Sequence, residues 1–391
     1  MSSASKIKSS YSFYNKPTLI RGGAPYFSKL IELIENAEQS IQLQVYIFDE
    51  DETGRIIANK LIEARQRDIE VQMLLDGYAS RSLSNSFKEE LRKAGIQLRF
   101  FNPVFKSDNF YFGRRLHHKI VVVDGYFSLV GGINISNRYN DMPEDPAWLD
   151  WAILIEGDLS YDLHKLCNIF YARWNNKVIN IDRKQLQHRI NYTLHCPMRI
   201  RRNDWVMNKN QISASYMEMM KNAQHEIIIM SSYFIPSDFF RASMIAAIKR
   251  GVKIKLVLAA TSDVGIAKYA EKYFYAWALR QGIEIFEYKT NVLHGKIAVC
   301  DNRIVTVGSY NINDISALAS IELNIDVEEN NFAATVRSAL EGIIEKDCVK
   351  VEPRSFYASQ SMLNKLMQWS AYRIFRIVFK LFTFYFTKQR K

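Results

Sequence analysis

The sequence predicts an α/β protein made of two copies of one unit, each organised around a largely parallel or mixed central sheet. Three observations carry this expectation. Apolar residues alternate between helical and strand periods from about residue 27, the same order of segments returns after residue 210, and two distant segments share one polar signature.

In the first copy, YFSKLIELIENA has helical spacing, and SIQLQVYIF sets Ile41, Leu43, Val45 and Ile47 on one strand face. GRIIANKLIEARQR then reads as a helix, IEVQMLLD as a strand, SNSFKEELRKAG as a helix ending at Gly95, and IQLRFF as a strand. In the second copy SYMEMMKNAQ, FFRASMIAAIKRG and YAEKYFYAWALRQG are the helices, while EIIIMSSYFI, VKIKLVLA and IEIFEY are the strands. Tyr46 pairs with Tyr233, Arg67 with Arg250, Gly95 with Gly282 and His117 with His294, the pattern of a long-period duplication and not of a solenoid. The expected organisation is a flexible tail over 1–16, a first domain over 17–185, a linker over 186–209, a second domain over 210–352 and a C-terminal helix over 358–391.

A chain of 391 residues with 48% hydrophobic composition supplies two cores, and a formal charge of +11 points to an anionic partner, nucleic acid or membrane surface. Cys167, Cys196, Cys300 and Cys348 form no CxxC pair, so neither a zinc site nor a disulfide framework is indicated. The first residues, MSSASKIKSSYSFYNKPTLIRGG, lack the apolar run of a signal peptide or membrane anchor, from which a cytosolic catalytic body is expected.

The two special segments are LHHKIVVVDGYFSLVGGIN and LHGKIAVCDNRIVTVGSYN, and both obey H-x-K-x4-D-x6-G-[G/S]-x-N. The first carries His117, Lys119, Asp124, Gly131, Gly132 and Asn134; the second carries His294, Lys296, Asp301, Gly308, Ser309 and Asn311. On a strand, positions i and i+2 share a face, so each histidine and its lysine point together at one spot. Each aspartate falls in a turn, the small Gly132 or Ser309 lets the backbone come close, and each asparagine supplies an amide donor. One such segment alone would read as a cationic surface strand; two full matches at corresponding places argue for chemistry. His118 should point away from the pair, and His164, His188, His195 and His225 fit no shared spacing.

This duplicated pattern resembles the phospholipase D superfamily over nearly the whole chain, and GGINISNRYND, SSYFIPSD and GSYNINDISALASIELN resemble its bacterial cardiolipin synthase branch, here without N-terminal transmembrane helices. Where that branch often has an asparagine, four residues before the first histidine, this chain has Gly113. The resemblance implies two pseudo-twofold-related domains with one active site at their interface. Attack on a phosphodiester needs cations and donors around the phosphorus, which Lys119, Lys296, Asn134 and Asn311 supply, with Gly132 and Ser309 beside them. One imidazole serves as nucleophile and leaves a phosphohistidine, while the other protonates the departing alkoxide. By analogy the nucleophile is His117 and the acid His294, although the symmetry allows the exchange. Asp150 and Glu322, at apolar strand starts downstream of the two histidines, match family positions for the histidine-orienting carboxylate. Asp124 and Asp301 complete the two catalytic motifs, with the turn and its backbone as their expected partners. No metal and no other cofactor is expected, since lysines take the place of a cation.

The superfamily includes lipid enzymes and nucleases, and the C-terminus argues for lipid. In LNKLMQWSAYRIFRIVFKLFTFYFTKQRK, Lys365, Arg373, Arg376 and Lys380 share one sector, with Leu363, Met367, Ile374, Val378, Leu381, Phe382 and Tyr385 opposite. Its charges interrupt any spanning run, so it suits a helix lying on an anionic membrane surface, or one packed on the protein itself. The loop NPVFKSDNFYFGRRL clusters Phe105, Phe110, Tyr111 and Phe112 with Lys106, Arg114 and Arg115, a set able to guide acyl chains, stack on bases or pack as a hairpin. The expected activity is transfer of a phosphatidyl group from a phospholipid such as phosphatidylglycerol to a second lipid hydroxyl, by a peripheral enzyme on the cytoplasmic face of the cell membrane. Hydrolysis of phospholipids and cleavage of nucleic acid are the rival activities, and no nucleic-acid partner is expected.

Overall fold

A computed structural model describes residues 11–103, 114–172, 178–262, 265–313 and 320–387. The first half runs β1 (Asn15–Arg21), α1 (Ala24–Glu35), β2 (Ser40–Val45), α2 (Glu52–Gln66), β3 (Glu70–Asp76) and α3 (Asn85–Lys93). It continues with β4 (Gln97–Phe101), β5 (Arg115–Leu116), β6 (Lys119–Val123), β7 (Phe127–Gly131), β8 (Trp151–Gly157) and α4 (Asp158–Tyr171). A short α5 (Arg183–Arg189) leads to β9 (Met198–Asp204), β10 (Lys209–Asn210), α6 (Gln211–Asn222), β11 (Glu226–Ser231), α7 (Asp238–Lys249) and β12 (Lys253–Ala259). Then follow α8 (Gly265–Arg280), β13 (Glu284–Tyr288), β14 (Lys296–Cys300), β15 (Ile304–Gly308), β16 (Ser320–Glu328) and α9 (Asn330–Asp347). The chain ends in β17 (Cys348–Lys350), α10 (Pro353–Ala358) and α11 (Met362–Thr387).

The two sheets have one topology. The first is ordered β1-β8-β7-β6-β2-β3-β4, and the second repeats this as β9-β16-β15-β14-β11-β12-β13, with β10 and β17 added at its ends. In both, three strands run parallel in the βαβ portion (β2, β3, β4 and β11, β12, β13), and the motif hairpins are antiparallel. Helix starts match as well: the Asp51 carboxylate accepts the Gly54 amide at α2, and the Ser237 hydroxyl accepts the Phe240 amide at α7.

Three large cores and two small clusters hold the described residues together. One outer core packs α1, α2 and α3 on the first sheet through residues such as Leu30, Ile57 and Leu91, and the other packs α6 and α7 on the second through Met219 and Met244. The third lies between the sheets, where Ile120, Val122 and Ile153 of the first meet Met230, Val299 and Leu323 of the second, together with Leu163 of α4 and Val336 of α9. Motif strands covered on both faces explain why β6 and β14 are buried at every position.

The expected linker needs correction, because Met198–Asp204 is β9, the counterpart of β1, so the second sheet begins inside 186–209. Likewise Ser12, assigned to a flexible tail, exchanges backbone hydrogen bonds with Met198, and Asn15 donates to the Cys196 carbonyl. The pairing of Tyr46 with Tyr233 also shifts by one. Val45 stands opposite Lys119 and Ser231 opposite Lys296, so the counterpart of Tyr46 is Ser232.

Candidate active site

Both histidines sit where a motif strand meets the other half. Ahead of the first, Leu116 in β5 pairs with Ile321 of β16, and the His117 amide donates to the Ile321 carbonyl at 3.0 Å. Ahead of the second, Leu293 bridges Leu149, and the His294 amide donates to the Leu149 carbonyl at 2.8 Å. The next residues in those partner segments are Glu322 and Asp150. The dyads therefore form across the interface: His117 Nδ1 lies 2.8 Å from Glu322 Oε2, and His294 Nδ1 lies 2.6 Å from Asp150 Oδ2. Sequence spacing associates each carboxylate with the histidine of its own half, and the geometry exchanges them.

The two dyads are built differently. Glu322 Oε2 also accepts the Ser309 hydroxyl at 2.5 Å, while Asp150 Oδ1 accepts the Trp151 amide at 2.7 Å. At the position matching Ser309 stands Gly132, where a Cβ would come within 2.4 Å of the Asp150 carboxylate. So Gly132 and Ser309 serve the orienting carboxylates. Each lysine folds back on its own motif, Lys119 Nζ donating to the His117 carbonyl at 3.0 Å and Lys296 Nζ to that of His294.

Electrostatics tie these groups into one site. Burial lowers the His117 pKa below 6.5, with Glu322 opposing and the charges of both Lys119 and Lys296 assisting. Burial, Lys296 and Lys119 hold His294 down to about 4 against the pull of Asp150. Lys119 is lowered by burial to about 7, and it feels Glu322, Lys296 and Asp150. Fields from both halves thus converge, and both imidazoles are neutral near pH 7, each with its Nδ1–H directed to a carboxylate and Nε2 left for chemistry.

Not every motif residue joins them. Asp124 lies at the far end of β6 and accepts the amides of Glu38, Gln39 and Ser40, all within 2.9 Å. Asp301 repeats this with Gln224, His225 and Glu226. Both take positive φ in their turns. They anchor the strand at its end remote from His117 and His294. Asn134 Oδ1 accepts the Ile47 amide and its Nδ2 donates to the Tyr139 hydroxyl at 2.9 Å; Asn311 Oδ1 accepts the Ser232 hydroxyl at 2.6 Å. Buried His118 contacts Gln44 and Phe170, and His164 bonds Gln42, so both are packing residues.

A family model described as "Cardiolipin synthase, PLD-like domain" matches residues 30–150 and 216–344, once in each half. The chain belongs to the cardiolipin synthase family of phospholipase D-like proteins. Cardiolipin synthase B of Escherichia coli strain K12 is 31% identical over 374 residues, covering 93% of this chain and 87% of that protein. A probable cardiolipin synthase of Bacillus subtilis, YwiE, is 27% identical over 346 residues, covering 87% of this chain and 68% of that protein. Among solved structures, phosphatidylserine synthase of Haemophilus influenzae superposes with a TM-score of 0.75 over 95% of this chain and 96% of that one, at 15% identity, a likeness of fold. Family membership makes the protein a phosphatidyltransferase-type enzyme of the phospholipase D superfamily.

Several residues of this family member were not legible as site residues. Tyr46 stands edge-on to His117 at 4.7 Å between centroids and beneath Lys119, while Tyr139 and Trp148 face His294 at 5.2 and 6.1 Å. Asp76 ends β3 fully buried and accepts the amides of Leu116, Tyr78 and Ala79, fixing the backbone that presents His117. Its only sequence signal is a carboxylate closing an apolar strand. In the aromatic loop, residues 104–113, including Gly113, lie outside the described residues, whereas Arg114 pairs with Asp204 and Arg115 with Asp76 in buried ion pairs. Arg114 thereby braces the interface, while Arg115 holds β5 against the ends of β3 and β4.

Proposed function

We propose that this enzyme transfers a phosphatidyl group from a phospholipid such as phosphatidylglycerol to the hydroxyl of a second phospholipid, giving cardiolipin, through a covalent phosphatidyl-histidine. The observation that carries the reading is the pair of interface-crossing imidazole–carboxylate dyads with two lysines acting on both. His117 attacks phosphorus through Nε2, and His294 protonates the departing glycerol alkoxide. The acceptor hydroxyl then gives its proton to His294 and displaces the histidine. Two features support this order. Glu322 divides one oxygen between His117 and Ser309, which favours a neutral nucleophile, whereas Asp150 Oδ2 meets His294 at 2.6 Å and suits an imidazolium. His294 takes up this proton from solvent as the substrate binds, because the phosphodiester anion offsets the lysine charges that, together with burial, keep it neutral.

The membrane partner is proposed on the shape of α11. Ala371 packs with Ala270 and Phe274 of α8, and Tyr372 stacks on Tyr273, so one side of this helix is covered by the protein itself. Leu363, Leu366, Met367, Ile374 and Ile377 remain exposed, next to exposed Lys365 and Arg373. That arrangement suits the headgroup layer of an anionic membrane on its cytoplasmic face. Val378, Lys380, Leu381, Phe382 and Tyr385 have side chains outside the described set. No helix among the described residues is long and apolar enough to cross a membrane.

The test is incubation with labelled phosphatidylglycerol in mixed micelles, from which cardiolipin and glycerol are expected. Phosphatidic acid as the sole product would make the enzyme a hydrolase, and cleavage of single-stranded DNA without lipid turnover would make it a nuclease.

A further inference from the structure

The two motif asparagines are held differently. Asn134 Nδ2 donates to the Tyr139 hydroxyl, whereas the described residues give Asn311 Nδ2 no partner, although Asn311 is buried and the Ser232 hydroxyl fixes its Oδ1. Asn311 is thus the amide with a donor to spare for a phosphate oxygen. Its surroundings are set by the segment that follows β11. The Phe234 amide donates to Glu271 Oε2 of α8 at 3.1 Å, and the Ile235 amide donates to the carbonyl of Ile312, next to Asn311, at 2.9 Å. The Ile235 side chain is buried with Ala270 and Phe274 of α8 and with Ala371 of α11, a contact that Tyr372 extends by stacking on Tyr273.

The first half supports the same segment from within. There the Phe48 amide donates to Ser80 Oγ at 3.1 Å, and the Asp49 amide donates to the Ile135 carbonyl at 2.9 Å. Asp49 thus stands where the second half has Ile235, and its carboxylate bonds Arg138 and Ser82 of its own half. Ile235 can be apolar and buried because two helices, α8 and the C-terminal α11, close over it. A helix lying outside the duplicated unit is therefore part of the support of one motif asparagine.

We infer that α11 is a positioning element of the active site: its docking through Ala371 holds Ile235, and the Ile235–Ile312 hydrogen bond in turn sets the Asn311 amide toward the phosphate between His117 and His294. The inference rests on the reading of Asn311 as a phosphate donor. It goes beyond membrane attachment, because the covered side of the helix serves the site whatever its exposed side meets. Catalysis then depends on α11 even for a substrate in free solution.

Ala371→Asp puts a carboxylate among Ile235, Ala270 and Phe274 and undocks the helix, with Ala371→Ser as its conservative partner. The probe is a soluble p-nitrophenyl phosphodiester, which needs no membrane, given to the full-length protein, and urea unfolding checks that each variant keeps its cores. Ala371→Asp should lower kcat by about 10–100-fold with KM little changed, and Ala371→Ser by less than about threefold. Asn311→Ala should lower kcat by about 10²-fold, and adding Ala371→Asp to it should take away little more, because both remove one function. Ile235→Val trims the same contact from the loop side without adding charge, and its smaller loss should vanish likewise in the Asn311→Ala background. Unchanged kcat in Ala371→Asp, or losses that multiply when either variant is combined with Asn311→Ala, would overturn the positioning role. Full activity in Asn311→Ala would instead overturn the reading of Asn311 as a phosphate donor, and the inference with it.

Discussion

The first and second halves present the same imidazole–carboxylate geometry with different parts. Where His294 is served by a short aspartate, the residue beside it is Gly132; where His117 is served by a longer glutamate, the residue beside it is Ser309, which donates to it. Volume is traded between neighbours so that each carboxylate reaches an imidazole across the interface. The lesson is that the carboxylate and the small residue vary as a pair, and that the duplicated fold holds two unequal histidines suited to two different roles.

The largest effect should come from the histidines. His117→Ala is expected to abolish the covalent adduct, detected as a phosphohistidine peptide by mass spectrometry. His294→Ala should slow lipid turnover by about 10²–10⁴-fold, and far less with a p-nitrophenyl leaving group that departs without a proton. The opposite pattern would exchange their roles.

Next come the residues beside the carboxylates. Gly132→Ala drives a methyl group into the Asp150 carboxylate and should destabilise by up to about 3 kcal/mol in urea unfolding. Ser309→Ala removes one donor from Glu322 and should cost about 1.5 kcal/mol. Combining Gly132→Ser with Asp150→Glu gives the first half the second half's pair, and it should recover much of the activity that Gly132→Ser loses alone. No recovery would mean that the two halves cannot be compared residue by residue.

Asp124 and Asp301 sharpen the comparison because there the halves are alike. Each caps backbone donors far from the imidazoles, so Asp124→Ala and Asp301→Ala should each lose about 1–2 kcal/mol of stability with kcat unchanged well below the melting temperature. A large fall in kcat with full stability would return them to the site.

The smallest effects are in pH. Lys119, lowered to about 7, should give kcat/KM a basic limb near that value, as its charge disappears with rising pH. Lys119→Arg should move the limb upward. The depressed His294 works in the other direction. Between pH 6.5 and about 4 the unfolded chain binds a proton that the folded site refuses, so stability falls as pH drops through that window and this contribution is flat above it.

The duplication and both motifs were legible because strand and turn geometry impose their spacing, whereas Asp150 and Glu322 were reached through the family resemblance. The crossing was not legible: sequence distance links Asp150 to His117 and Glu322 to His294, whereas the β5–β16 and Leu149–Leu293 pairings decide which carboxylate each ring meets. β9 was hidden because only Met198 and Ile200 are apolar in MRIRRND, too short an alternation to stand out, and because Arg199 and Arg201 pack against buried Asp326. Tyr46 was legible only as a landmark of the duplication, because its counterpart Ser232 has no ring to stand against an imidazole as Tyr46 does against His117.

The most direct test of the crossed dyads is leaving-group dependence, measured as the ratio of kcat/KM on phosphatidylglycerol to that on a p-nitrophenyl phosphodiester. Glu322→Gln should fall with the His117 variants and Asp150→Asn with the His294 variants, whichever histidine attacks. Asp150→Asn grouping with His117, and Glu322→Gln with His294, would contradict the account.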